Sequence, residues 1–173
     1  MRRTLFVFCS LAIVVAAVGS ARPANAISRD QVLLSFSNMV GVTGVFRGDD
    51  KPIRGIPGDG LPWVIRDADG VLLRDGSLNI SVRGLVFPNI PEVPVNLRGI
   101  NDEDEFRAIV SCLAADSGEP VNVSTKGFRA NRSGDAQISA RLKLPKPCVA
   151  PIIFIVAADE DDWLAVTGGS SSY

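Results

Sequence analysis

The chemistry open to this chain is set first by a missing side chain. None of its 173 residues is histidine. That removes Ser–His–Asp and Cys–His nucleophilic catalysis and the usual zinc, copper and non-haem iron sites. A Gly-x-Ser-x-Gly elbow is missing too. What remains is carboxylates, arginines and the loops that carry them. Asp102 to Glu105 and Asp159 to Asp162 are two runs of hard oxygen donors. Brought together at one end of a domain, they could hold Ca²⁺, with Asp159, Asp161 and Asp162 as the candidate ligands. Kept apart, they are solvated loop tips that discourage edge pairing. Two carboxylates facing across a cleft, about 5 or 6.5–9.5 Å apart, could instead hydrolyse a polysaccharide.

The other candidate lies at residues 47–62, dense in glycine and proline. Its Gly55-Ile56-Pro57-Gly58-Asp59-Gly60 segment is a poor phosphate cradle. Pro57 removes a donor, Asp59 repels phosphate, and a strand rather than a helix is expected next. The reading that remains is a long loop that contacts a ligand or partner through Arg47, Arg54, Gly58, Asp59 and Trp63. Its alternative is a cap on one end of the domain, with Trp63 in the core.

Shorter motifs carry less. Asp116-Ser117-Gly118 resembles half of an aspartic protease site, but that chemistry needs a second copy and none is present; a turn explains it better. Asp67-Ala68-Asp69-Gly70 lacks the further ligands and closing Glu of a calcium loop and reads as a hairpin turn. Arg47-Gly48-Asp49 is an integrin-type tripeptide of a length that chance supplies often. Asn79, Asn122 and Asn131 each open an N-x-Ser sequon, which matters only in a host that glycosylates.

The chain's start reads as an address. Arg2 and Arg3 precede an apolar run over residues 5–18 and then Ala24-Asn25-Ala26, the pattern of a secretory signal peptide over residues 1–26 with cleavage after Ala26. The run is shorter than the roughly 20 residues a spanning helix needs. Cleavage would remove three arginines, leaving 15 basic against 19 acidic residues. Such a surface gives no reason to expect nucleic acid. It would also remove Cys9 and leave Cys112 and Cys148, which in an oxidising compartment read as one disulfide.

The elements that must position these groups are strands. Ala136, Ile138, Ala140, Leu142 and Leu144 alternate with polar residues; a proline turn, Cys148, the run Ile152 to Val156 and a last strand from Trp163 follow. Phe106, Ala108, Val110 and Cys112 share one face of another strand. The apolar set of residues 77–87 slips phase at Arg83-Gly84, which predicts a β-bulge. Strands are also expected over residues 41–46, 63–65, 71–73, 95–97 and 121–124. Residues 31–36 fit a strand or one helical turn. With no convincing helix, the expectation is an all-β, antiparallel, Ig-like Greek-key sandwich over residues 27–168 with a Cys112–Cys148 bridge and a flexible tail over residues 169–173. The function expected is non-enzymatic: binding, adhesion or an envelope-associated role in a secreted or periplasmic setting. The partner is an unknown protein or cell-envelope component, and no cofactor is expected. A carboxylate-dependent hydrolase and a calcium-stabilised module are the alternatives.

Overall fold

A computed structural model describes residues 29–168. The expected signal peptide, Cys9 and the tail after Gly168 lie outside the described residues. Twelve strands follow in order: β1 Val32–Phe36, β2 Met39–Gly41, β3 Gly48–Ile53, β4 Ile56–Gly58, β5 Asp67–Leu73, β6 Ser77–Arg83, β7 Glu105–Leu113, β8 Pro120–Ser124, β9 Phe128–Arg129, β10 Ala136–Arg141, β11 Val149–Ala157 and β12 Trp163–Thr167. Three-residue 3-10 turns occupy Arg29–Gln31 and Gly44–Phe46.

The strands form two sheets. The smaller has the order β1-β5-β6-β10; the larger runs β3-β4-β12-β11-β7-β8, with β2 also beside β12 and β9 beside β7. Pairing is antiparallel except for the single parallel bridge between Trp163 and Gly58. Leu72, Leu78, Ile80 and Ile138 of the smaller sheet and Phe106, Val110, Phe154 and Leu164 of the larger belong to one buried cluster. Burying eight such side chains, at about 1.5–3 kcal/mol each, is the main force holding the sheets together. Ile153 to Ala157 are all buried, so β11 is covered on both faces, which suits its unbroken apolar run.

The all-β expectation and the disulfide are both met. Cys112 in β7 is bonded to Cys148, just before β11, with α-carbons 5.0 Å apart. The bridge therefore joins neighbouring strands of the larger sheet. The alternation around Ala136 and Ile138 gives β10, opposite β6 from Ala136↔Val82 to Arg141↔Ser77. At the phase slip, β6 ends at Arg83, Gly84 takes φ +67°, and Leu85 and Phe87 turn inward again.

Several local expectations are corrected. Residues 47–62 are not a structureless loop: they hold the β3–β4 hairpin, with Arg54 and Gly55 at its tip. Pro52 lies in β3, the sheet's edge strand, where a proline is tolerated. Asp67 to Gly70 is not a turn but the first half of β5. Asp67 and Asp69 face outward, Ala68 faces the core, and Gly70 leaves room for the Phe36 ring. Of residues 63–65, Val64 alone makes a bridge, to Val86. The segment expected as a strand over residues 95–97 is turns, and residues 44–46 are a 3-10 turn. The segment at 31–36 is both things expected of it, a turn and then a strand.

Candidate functional site

The hairpin proposed to meet a partner is sewn into the fold. Arg54, at φ +52°, reaches from its tip across the larger sheet. Its Nη1 donates to the Ser111 carbonyl of β7 at 2.8 Å, and its Nη2 to the Ala150 carbonyl of β11 at 2.7 Å. Ala150, at φ +44°, and Arg54 are the two non-glycine residues with positive φ among the described residues. Asn122 of β8 donates back to the Arg54 carbonyl at 3.2 Å. Burial pushes the Arg54 guanidinium below its usual range. Two of its donors are thus spent on backbone oxygens.

Gly58 is buried in β4 opposite Gly48 and Trp163, and a β-carbon there would lie 2.0 Å from the Phe46 carbonyl oxygen. Trp63 is fully buried against Phe87, ring centroids 4.1 Å apart, so of its two readings the core one describes its surroundings. Arg47 is half-buried, and its Nε has no hydrogen-bond partner. Between the hairpin and β7–β8 lies a cleft of about 310 Å³ lined by Ile56, Ile109, Arg107, Asn122, Ser124 and Asp161.

The acidic runs do converge. Asp59 is half-buried, and its Oδ1 accepts the Leu61 N–H at 2.6 Å. Burial raises its carboxyl, Asp162 and Asp102 add to that, and the Leu61 N–H and the nearby Trp63 indole pull it down. The indole N–H itself stops short of hydrogen-bond geometry. Glu103 is pushed up to about 7 by burial first, then by Asp102, Asp159, Glu160 and Asp59. The carboxyls of Glu160 and Asp162 are raised for the same reasons, burial leading. The buried Asn101 side chain fixes this loop, accepting the Glu103 N–H at 3.0 Å and donating to the carbonyls of Glu103 and Asn131 at 2.7 and 2.9 Å. Asp161 is not held for a cation: its carboxylate pairs with Arg107, which also donates to the Glu160 carbonyl. No group of three acidic side chains comes to metal-binding distance among the described residues.

A second cleft, of about 650 Å³, opens where the ends of β6 and β10 meet β9. The sequence reading missed it. Arg66, Arg83 and Arg129 line it with Asn131, Asp135 and Gln137 over small apolar residues. These side chains come from four separate segments with no motif spacing. The one signal in the sequence was the phase slip at Gly84, whose N–H donates to Asp135 Oδ1 at 3.0 Å and so fixes one wall. Neither cleft presents two facing carboxylates.

No known protein family, curated protein or solved structure matches the chain.

Proposed function

We propose that this chain is an exported, non-enzymatic binding domain. In this reading residues 1–26 are a signal peptide cleaved after Ala26. Residues 27–168 form an Ig-like sandwich that meets a protein or cell-envelope component in a secreted or periplasmic setting. Two sheets around one core and an internal disulfide support such a module. Its bridge lies within one sheet, whereas antibody domains bridge their two sheets. The observation that carries binding over catalysis is the 650 Å³ cleft. It gathers guanidinium and amide groups with one already engaged carboxylate, and holds no nucleophile beside a base. Nucleic acid does not suit a cleaved chain with 15 basic and 19 acidic residues, a net charge of −4.

The test is saturable binding of the purified chain to an envelope fraction from its own host, competed by unlabelled chain. Binding that neither saturates nor competes would overturn the reading. N-terminal sequencing of the exported form checks cleavage after Ala26.

One observation favours a polysaccharide hydrolase as the second reading. Glu103, pushed up to about 7 by burial and then by Asp102 and its neighbours, keeps a protonated fraction near neutral pH that a general acid can use. Release of reducing ends from a polysaccharide, lost in Glu103→Gln, would establish it.

A further inference from the structure

We infer that the cleft between β6, β9 and β10 binds an acidic sugar, through the oxyanion that the sugar carries. The inference rests on the binding reading and names the ligand class of its cleft. A balance of donors and acceptors carries it. Three guanidinium groups line the cleft, each with five N–H donors. Arg83 spends part of its set outward on Asp67 and Asp69 of β5. Arg66 is 69 % exposed and reaches Asp135 only at 3.6 Å. Arg129 makes no ion pair among the described residues. Asp104 and Glu105 share a separate hollow with it without closing on it.

The acceptor side is nearly exhausted. Asp135 Oδ1 takes the Gly84 N–H, and Oδ2 takes the Asn131 amide at 3.3 Å. Asn131 Oδ1 already accepts the N–H groups of Ser133 and Asp135. The wall therefore offers more N–H donors than acceptors, and its one carboxylate, Asp135, already has a partner on each oxygen. A group that brings several acceptor oxygens in a plane, or in a fork, is its complement.

A sugar is favoured over a bare ion or an acidic peptide by the rest of the lining. Gln137 donates its amide to Ser81 Oγ at 2.9 Å, which leaves its carbonyl oxygen to accept from a hydroxyl. Val82, Ala130 and Ala136 add apolar atoms to the lining, against which the C–H face of a ring can rest. The volume lies within the about 300–1,000 Å³ typical of small-molecule sites. No aromatic ring lines the cleft, so a neutral sugar has nothing to stack on, and the charge must supply the attraction.

Titrating the purified chain calorimetrically with oligogalacturonate, a heparin-type sulfated oligosaccharide, a neutral maltooligosaccharide and oligoglutamate tests this. Saturable binding of the uronate or the sulfated oligomer is expected, weakened about tenfold or more in Arg129→Gln. The uronate and sulfate arms separate the two sources of oxyanion. Arg129 is exposed, so the variant should keep the wild-type melting curve. Gln137→Ala should weaken the sugar while leaving inorganic sulfate unaffected. Equal binding of the neutral oligomer or of oligoglutamate, or an unchanged affinity in Arg129→Gln, would overturn the inference. Should Arg129→Gln bind the envelope fraction with unchanged affinity, the cleft assignment fails and the binding reading survives.

Discussion

The carboxyl of Glu103 makes this protein more stable in mild acid than in mild alkali. In the unfolded chain a glutamate titrates near 4.5; in the folded chain this one titrates at about 7. Below 4.5 it is protonated in both states and costs nothing. Between 4.5 and 7 the folded state binds the extra proton, so stability falls as pH rises through that window, and above it the loss is complete. Taken in full, the difference is worth about 3.4 kcal/mol. Glu103 is half exposed, however, and water screens it, so about 1–2 kcal/mol is the realistic loss. Glu103→Gln holds the neutral form at every pH. It should come close to the wild type at pH 4 and exceed it by about 1–2 kcal/mol at pH 8, seen as about 3–6 °C in Tm. Denaturant unfolding of both proteins at the two pH values measures it. The raised carboxyls of Asp59, Glu160 and Asp162 push in the same direction, so the variant should flatten the wild-type slope only in part. If the wild type is as stable at pH 8 as at pH 4, or if Glu103→Gln is the weaker protein at pH 8, the electrostatic account of this end of the molecule is wrong.

Three further outcomes probe the scaffold. Arg54→Ala removes two charge-assisted bonds to the carbonyls of Ser111 and Ala150, and should cost about 2 kcal/mol; amide exchange over the β3–β4 hairpin should rise, and unchanged exchange would deny the clamp. Replacing Cys112 and Cys148 together by alanine opens a loop of 36 positions and should cost about 3.8 kcal/mol in denaturant unfolding. Gly58→Ala drives a β-carbon against the Phe46 carbonyl and Val42, and should cost about 1–3 kcal/mol; a neutral result would show that residues 44–46 can move aside.

What the sequence revealed and what it hid divide along a physical line. The alternation in β10 was legible because one face meets the core, and a period of two records that directly; β7, buried on both faces from Ala108 to Cys112, was legible from its apolar content. The disulfide was legible because setting Cys9 aside with the expected signal peptide leaves a single pairing. Asp67 to Gly70 misled because aspartate and glycine favour turns locally. Here the aspartates sit on the solvent face, paired with Arg83 across β6, and the glycine admits the Phe36 ring. Residues 47–62 misled for a related reason. Local rules count prolines and glycines against a strand, but this hairpin is also anchored from afar, by Arg54 on Ser111 of β7 and Ala150 of β11 and by Gly58 on β12, more than fifty positions away.

That last point bears on where function sits. A loop rich in breakers looks like a site because its own sequence cannot hold it still. Here the holding comes from elsewhere: Arg54 latches the tip, and Gly58 lies too close to its neighbours to take a side chain. A segment fixed at both points has little freedom left to close on a partner. The arginine cleft is the reverse case. Arg66, Arg83 and Arg129 are unremarkable in sequence, lying near a turn, at a strand end and on a two-residue strand. They become a set only when β6 stops at Gly84 and the Asp135 carboxylate ties that corner to the head of β10. The substitution that discriminates is therefore at Asp135. Asp135→Asn keeps an oxygen for the Gly84 N–H and removes the negative charge facing Arg66. If the cleft takes an anion, this variant should bind it several-fold more tightly, whereas loss of a merely structural corner would weaken binding and lower Tm together.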